Sequence, residues 1–563
     1  MKQIIRKSVL VCIVFINFIT YAQDTTFSHD QLINDTRELI QLIESVHPDP
    51  YINGGGKIEF HRKFQSVLQA IPDSGMTLTN FVWLLQPLVN SIGDGHTSIQ
   101  HPFFSYDPKA PFGIPFWFSV FSEKGLYISK VARKEFEPLI GSKLISVEEF
   151  PVHKLLNRTR QLFPCQNDYD ALWNLNAMLW ESYFMKQFLP DRADKNRLHI
   201  EIELKNGRRK KLDLDLTKKR IYPLIKKQTS ALDLPSTKEC DFTYKFISED
   251  KKTVFLRIDS QEGFREIVEF ALYHGFDKTI IKQFADPIYE RYNSNNAPTD
   301  IDSLIAGIPS VTEVFKKLVV DMKSAGTENL IIDLSRNNGG QSVLSQILIY
   351  FLYGTNKLLD LQETSYTIDK YSDYYFSVFT QTNIDKRNKE HLTDHSYKLT
   401  GTDFDFNNEK DRNLILSGKI TSDDLKSRLN TEFKPFTTFY KEYISKQYDG
   451  YYTPKNIIVI CSERTYSAGF GSLVDLYKCD ATVFGIPSGQ SANCFGNAIY
   501  YELSNTGLSG FISTKYIEMF PGDPIKGKEL MPHYPVTYDI LKRYEFNPNT
   551  LYLYTLDSIL NLK

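Results

Sequence analysis

Cysteine is scarce in this sequence, with six residues among 563. The six are scattered and no two of them form a Cys-x-x-Cys pair, so neither a disulfide framework nor a zinc site is indicated. The sequence also lacks a GxxxxGK[ST] phosphate loop, an HExxH pair and a GxGxxG turn after a strand. These absences remove the motif support for a nucleotide hydrolase, a zinc peptidase or a dinucleotide enzyme. We therefore expect no metal and no other cofactor.

Charge of one sign is also lacking, because the formal net charge is only −2 at pH 7. Two short basic runs, at Arg208–Lys211 and Lys218–Arg220, are most simply solvated faces. Without a larger basic patch, nucleic acid is not an expected partner. Beyond the first residues, no apolar run approaches the ~18 residues of a membrane helix.

The first 22 residues have the pattern of a secretory signal peptide. Lys2, Arg6 and Lys7 precede the apolar run Ser8–Ile19, and Thr20–Ala22 then offers small residues for cleavage. The alternative is a retained N-terminal anchor. We expect residues 1–22 to be removed, which predicts a periplasmic or secreted protein with no membrane anchor after cleavage.

The rest of the chain predicts an α+β multidomain protein. Residues 23–108 have helical periodicity and form a predicted helical N-terminal domain. Residues 109–225 have β signals, including alternating apolar residues on both sides of Asn206-Gly207, which is a hairpin signature. Residues 240–563 alternate strands with helices, which predicts an α/β core with a mainly parallel sheet. The stretch of about 356–450 is too long for a loop and is interpreted as an insertion with helices of its own.

Two turns follow buried-type strands of this predicted core. The turn "RNNGG" follows "NLIIDL", and the turn "ERTYSAG" follows "NIIVIC". In a parallel sheet, functional sites form at the carboxyl ends of the strands, where these two turns would lie. Ser467 is then either a helix N-cap or an activated nucleophile. Gly339 and Gly340 form either a plain tight turn or a backbone cradle for an oxyanion.

A nucleophilic serine needs a base, and His96 is the leading candidate among eleven histidines. It lies in the loop "GDGHTSI", where glycines fix the backbone, although a surface histidine in a turn is the alternative interpretation. His47 precedes a proline at a helix end and is interpreted as structural. His533 is a lesser candidate. The α/β-hydrolase signature GxSxG is absent, because Thr465 stands two positions before Ser467.

These motifs, in this order, resemble the S41 peptidases, which include the tail-specific processing proteases and the tricorn-type proteases. The segment "NLIIDLSRNNGG" resembles the family's strand and Gly-Gly turn, and "ERTYSAGFGSLV" resembles its nucleophile turn. The segments "VFGIPSGQS", "IGDGHTSI" and "GKELMPHYPV" resemble three further family segments. The resemblance implies that residues 109–225 are a PDZ-like domain and that residues 240–563 are a crotonase/ClpP-like core.

The resemblance also implies roles for individual residues. The lysine of the bacterial processing proteases is missing from the turn Ser488–Ser491, which favours the tricorn-type pairing of serine with histidine. Ser467 is then the implied nucleophile, His96 the implied base and Glu529 the implied carboxylate that orients the histidine. The backbone N–H groups of Ala468 and of Gly339 or Gly340 are the implied oxyanion donors.

The resulting hypothesis is an exported serine endopeptidase that acts on peptides or unfolded proteins. One alternative is a catalytically degenerate protein that binds peptides or small hydrophobic ligands on the same fold. Another alternative is a partner module for exported glycans or peptides. Only the aromatic insertion supports it.

Overall fold

The computed structural model describes residues 25–100, 113–180, 188–189, 197–216, 225–226, 232–235, 242–362, 364–370, 372, 374–375, 377, 421–445 and 452–561. The predicted signal peptide, 1–22, lies outside the described residues. No helix of the described ranges is long and apolar enough to span a bilayer. The domain boundaries given above stay a prediction.

The N-terminal part is helical, as its periodicity predicts. Ser28 starts the first helix with a capping box to Gln31, and the apolar stripe that includes Leu32, Leu39 and Ile43 is fully buried. This part contains β1 (Thr26–Phe27), α1 (His29–Val46), α2 (Lys57–Ala70), β2 (Met76–Thr77), α3 (Leu78–Asn90) and β3 (Ser98–Gln100).

A seven-stranded sheet follows, in which all the strand pairings are antiparallel. The predicted hairpin is present, and Gly207 takes the positive φ of +79° that its turn needs. The elements are β4 (Phe116–Val120), β5 (Leu126–Val131), a 3₁₀ helix (Lys134–Leu139), β6 (Lys143–Val147), β7 (Phe150–Pro151), α4 (Val152–Leu162), α5 (Asp168–Trp180), β8 (Arg197–Glu203), β9 (Arg209–Asp215) and β10 (Ile225–Lys226).

The core is a six-stranded sheet with the order β11-β12-β13-β15-β16-β19. Only β11 runs antiparallel to its neighbour, and the other pairings are parallel. These strands are β11 (Phe242–Phe246), β12 (Thr253–Ile258), β13 (Asn329–Asp333), β15 (Asn456–Cys461), β16 (Thr482–Gly485) and β19 (Tyr534–Pro535). Apolar clusters cover both faces of the sheet, which explains why its strands are continuous apolar runs.

Helices pack around this core sheet. They are α6 (Phe264–Tyr273), α7 (Lys278–Asn293), α8 (Ile301–Gly307), α9 (Val311–Ala325), α10 (Val343–Tyr353), α11 (Thr355–Gln362), α12 (Ser422–Phe433), α13 (Thr437–Ile444), α14 (Ala468–Lys478), α15 (Pro524–Lys528), α16 (Tyr538–Arg543) and α17 (Thr550–Asn561). The described parts of the interpreted insertion include α12 and α13, whose apolar residues join the main core cluster. Helices α6 to α8 form a separate small cluster that the sequence analysis did not predict.

A four-stranded antiparallel sheet joins distant parts of the chain. It contains β3, β14 (Tyr366–Asp369), β17 (Asn493–Glu502) and β18 (Ser509–Glu518). Strand β3 pairs with β18 from Ser98↔Phe511 to Gln100↔Ser509. Because β3 directly follows the loop that carries His96, this pairing ties the loop to the C-terminal half of the protein.

Candidate active site

Ser467 lies at the turn between β15 and α14 in a conformation that L-residues rarely adopt. Its φ is 51° and its ψ is −127°, and its side chain makes no hydrogen bond that caps the helix. The N-cap interpretation therefore loses its physical basis, because a capping serine accepts from the first helical N–H groups. A strained residue at a strand-to-helix turn is typical of a functional side chain that must project from the backbone.

The two turns at the carboxyl end of the core sheet are hydrogen-bonded to each other. Thr465 Oγ1 donates to the Leu334 carbonyl at 2.8 Å, and Tyr466 N–H donates to the Asn337 carbonyl at 2.8 Å. Ser467 N–H donates to the side-chain oxygen of Gln490. The position of Ser467 is thus fixed by three loops at once, which holds its unfavourable backbone angles in place.

The loop of residues 93–97 brings His96 to this turn. His96 Nε2 lies 3.1 Å from Ser467 Oγ, although 371 positions separate the two residues in the sequence. The ring of Tyr466 lies 5.7 Å from the imidazole, centroid to centroid. A methyl group built on Gly95 would come within 1.8 Å of the Tyr466 hydroxyl, so the loop and the turn are in direct contact.

Asp94 is the carboxylate of this loop, and its side chain is fully buried. Its Oδ2 accepts hydrogen bonds from His47 Nε2 at 3.2 Å, Thr97 Oγ1 at 2.5 Å and Ser513 Oγ at 2.6 Å. Its Oδ1 accepts from the His96 backbone N–H at 2.9 Å. Burial alone would raise the pKa of Asp94, but the hydrogen bonds and charge interactions from His47 and its neighbours hold that pKa well below its usual value.

His47 serves this carboxylate rather than the serine. Its Nδ1 accepts from the Asp49 backbone N–H at 3.2 Å, so the proton of a neutral ring must lie on Nε2, which faces Asp94. The hydrogen bond to Asp94 thus supports the structural interpretation of His47. His533 lies elsewhere, where its Nδ1 accepts from the Val483 N–H at 3.0 Å and its ring stacks on Tyr477.

Within the described residues, Glu529 forms no hydrogen bond or ion pair with the histidine that it was expected to orient. Its carboxylate forms an ion pair with Lys124 at 3.0 Å. His96 Nδ1 is buried and has no hydrogen-bond partner among the described residues, and the carboxylate oxygen found nearest to it is Asp94 Oδ1 at 3.8 Å. Glu529 was predicted from its position in a family segment, whereas Asp94 lies two residues before His96 in the sequence.

The expected oxyanion donors lie beside Ser467 but differ in their partners. A methyl group on Gly339 would approach Ser467 Cβ to 2.5 Å and Ala468 N to 3.1 Å, so only glycine fits there. The N–H of Gly339 already donates to Asn337 Oδ1 at 3.0 Å. Ala468 is the first residue of α14, where N–H groups lack intrahelical acceptors. For Ala468 N–H and Gly340 N–H, the described residues provide no acceptor in the turn hydrogen bonds.

No group of three or more His, Cys, Asp or Glu side chains suited to a metal ion lies within the described part of the chain. The expectation that the protein needs no cofactor stays a prediction.

Comparison with known proteins identifies the central part of the chain. Residues 292–490 match the model of peptidase family S41. This stretch contains the Gly339-Gly340 turn and Ser467, whereas His96 and Glu529 lie outside it. A search of curated proteins returned no matching relative.

Two solved structures have a fold similar to that of nearly the whole chain. Mature CPAF is 14% identical, with a TM-score of 0.52, over 94% of this chain and 96% of the other. Mature CPAF complexed with lactacystin gives 14% identity and a TM-score of 0.51, over 95% and 98%. The photosystem II D1 C-terminal processing protease is 9% identical, with a TM-score of 0.37, over 91% and 94%. The mixed α/β fold is therefore similar to that of mature CPAF.

Proposed function

We propose that this chain is a serine-type peptidase of family S41, with Ser467 as its nucleophile and His96 as its general base. The observation that carries the proposal is the distance of 3.1 Å between His96 Nε2 and Ser467 Oγ. That distance is within the hydrogen-bond reach of a base and the proton it removes. The absence of a capping bond from Ser467 supports the same assignment, because its hydroxyl does not stabilise the end of the helix.

The proposed reaction is acyl transfer to the serine and then to water. Ser467 Oγ attacks the carbonyl carbon of a peptide bond while its proton moves to His96 Nε2. The C–N bond breaks as the imidazolium returns that proton to the leaving amine. A water molecule then gives a proton to Nε2 and attacks the acyl carbon. Ser467 leaves with the proton, and a free carboxyl group is released.

Asp94, in place of Glu529, is the carboxylate proposed to support His96. For Nε2 to accept the serine proton, the ring proton must lie on Nδ1, which faces Asp94 Oδ1 at 3.8 Å. Asp94 is kept ionised by four donors and fixes the loop through the His96 backbone N–H. A fixed negative charge at this distance favours the imidazolium that forms during the reaction.

The oxyanion of the tetrahedral intermediate is assigned to the N–H groups of Ala468 and Gly340. The N-terminus of α14 adds a partial positive charge at Ala468. Gly339 is reassigned from donor to spacer, because its N–H is engaged by Asn337 and its missing side chain makes room for Ser467. Each oxyanion donor of this kind contributes about 10²–10³ in rate.

The substrates are proposed to be peptides or unfolded proteins outside the cytoplasm. The charge and apolar pattern of residues 1–22 supports export. The PDZ-like and crotonase/ClpP-like assignments of the two β-containing regions belong to the same proposal, which rests on the resemblance of their sequence motifs.

The test is turnover of a quenched fluorescent peptide library by the full chain and by Ser467→Ala and His96→Ala. We expect each variant to lose at least about 10³-fold in kcat/KM, because the two residues act as one unit. Ser324→Ala and His199→Ala change a surface serine and a surface histidine and should keep wild-type activity. Equal activity of wild type and Ser467→Ala, or inertness of all variants at several pH values, would overturn the assignment and leave the binding-protein alternative.

A further inference from the structure

A cavity of about 1010 Å³ lies next to the proposed catalytic residues. Its walls come from helices α2 and α3, the loop between α4 and α5, the start of β17, and α15. Its volume is at the upper end of the range for ligand pockets, so it has room for several residues of an extended peptide. None of the catalytic assignments above makes use of this space.

The charged residues that line the cavity are all basic. They are Lys63, Arg160 and Lys528, and the described residues of the lining include no Asp or Glu. Arg160 is paired with Asp168, but for Lys63 and Lys528 no ion pair is found within the described ranges. Several cations in a concave wall without a carboxylate create a positive potential, which attracts an anionic group.

The remaining lining is mixed. Apolar surface comes from Val67, Leu84, Leu88, Phe495 and Tyr516, and amide groups come from asparagine and glutamine side chains. A cavity of this composition suits a peptide that presents apolar and acidic side chains together. It does not suit a phosphate compound alone, because the apolar wall would be left exposed to water.

One hydrogen-bond chain connects the cavity to Ser467, and a second lining residue, Gln166, lies close to the His96 loop. Cys494, a lining residue, accepts from Gln490 Nε2 at 3.3 Å, and Gln490 in turn accepts the Ser467 N–H. Gln166, also in the lining, accepts from Ser491 N–H at 2.9 Å. The buried Gln166 Nε2 has no partner among the described residues and would lie 3.0 Å from a methyl group on Gly95, next to His96.

We infer that this cavity binds aspartate or glutamate side chains of the substrate, close to the bond that Ser467 cleaves. The inference rests on the proposed function, because it makes the cavity a specificity site of the same peptidase. Lys63 on α2, Arg160 on α4 and Lys528 on α15 contribute the charge. The peptidase would then prefer acidic segments of an unfolded chain.

The experiment compares matched peptides that differ only by Glu or Gln at each position around the scissile bond. With the full wild-type chain, we expect the best-placed Glu to raise kcat/KM by roughly three- to tenfold over Gln, the effect of one or two partly solvated ion pairs. Lys63→Glu and Lys528→Glu should reverse that preference, so that each variant cleaves a Lys peptide faster than the matched Glu peptide. Lys426→Glu, an exposed change on α12, should leave the preference intact.

Two further arms separate the possible failures. Amidated and free-acid versions of each peptide distinguish a side-chain carboxylate from a terminal one, and a preference that follows the terminus would overturn the inference.

Binding of the Glu and Gln peptides to Ser467→Ala, measured by fluorescence anisotropy, reports on the cavity without catalysis. If Ser467→Ala binds the Glu peptide more tightly and the wild-type protein cleaves neither peptide, the cavity assignment stands and the peptidase mechanism is rejected. Equal binding and equal cleavage of the two peptides would reject the cavity assignment.

Discussion

The loop around His96 and the segment around Glu529 were both expected to serve Ser467, and they differ in how they are held. The loop continues into β3, which pairs with β18, and its Asp94 accepts four hydrogen bonds while fully buried. The Glu529 segment follows the short helix α15, and its carboxylate meets a partly exposed lysine, Lys124.

This difference shows what a supporting carboxylate needs. Asp94 stays charged because oriented hydrogen-bond donors and charge interactions with His47 and His96 replace the water that it lost on burial. A charge held in this way keeps its position during the reaction, whereas an ion pair at the surface is screened and exchanges with water. The comparison therefore assigns the support of His96 to the rigid loop.

The largest expected effect comes from Asp94→Asn. We expect kcat/KM to fall by about 10²–10⁴-fold, because an amide would turn an N–H donor toward the His96 backbone N–H or its ring proton. The loss of the nearby negative charge should also move the acidic limb of the pH–rate profile to lower pH. The measurement is kcat/KM across pH for both proteins. Thermal unfolding of the variant controls for misfolding, and a folded variant with wild-type activity would remove Asp94 from the mechanism.

The second effect tests the contact between the loop and the serine turn. Gly95→Ala places a methyl group 1.8 Å from the Tyr466 hydroxyl, so His96 and Ser467 must move apart. A displacement of this size costs about 10²-fold in rate when it separates reacting groups. The double variant Gly95→Ala/Tyr466→Phe removes the clashing oxygen and should recover most of the activity.

A glycine without neighbours provides the control for that change. Gly471 lies in α14, and a methyl group there meets no atom of the described residues within 4 Å outside the backbone of its own helix. Gly471→Ala should keep full activity and stabilise the helix by up to about 1 kcal/mol. A Gly95→Ala protein as active as Gly471→Ala would show that the contact does not position the two residues.

The sequence predicts the parts of this site better than it predicts how they meet. The turn that holds Ser467 could be recognised because strand β15, the turn and helix α14 are consecutive in the chain. The pairing of β3 with β18 could not be recognised, because a three-residue strand carries no signal for a partner 410 or so positions away. The hairpin of β17 and β18 was missed for a different reason, since neither strand alternates polar and apolar residues cleanly.

The third prediction compares Asp94 with a second carboxylate, Asp170, whose pKa is shifted in the opposite direction. Within the described residues, Asp170 accepts from Asn174 Nδ2 at 2.9 Å and from the Gln166 N–H at 3.3 Å, and burial raises the pKa of Asp170 to about 7. Its proton stays bound in the folded state up to about pH 7 but leaves the unfolded chain near pH 4. The folded state therefore loses stability as pH rises from about 4 to 7, whereas the lowered pKa of Asp94 contributes stability that is lost as pH falls below about 4.

Asp170→Asn should flatten the first of these two pH dependences. We expect the fall in the free energy of unfolding between pH 4 and pH 8 to shrink by on the order of 2 kcal/mol in urea titrations. Asp539→Asn, an exposed change on α16, should leave the pH dependence as it is in wild type. The same slope in Asp170→Asn and wild type would mean that Asp170 is ionised in the folded protein.

The smallest expected effect comes from Glu529→Gln. Activity should stay within about twofold of wild type, because Glu529 neither contacts His96 nor shares a hydrogen bond with Asp94 within the described residues. Lys124 keeps Asp168 as a second partner at 3.2 Å, so the free energy of unfolding should change by less than about 1 kcal/mol. Peptide turnover and urea unfolding of this variant beside Asp94→Asn decide between the two regions. A loss of about 10²-fold or more in the kcat/KM of Glu529→Gln, with Asp94→Asn still active, would return the supporting role to Glu529. Substrate binding would then have to move Glu529 to His96.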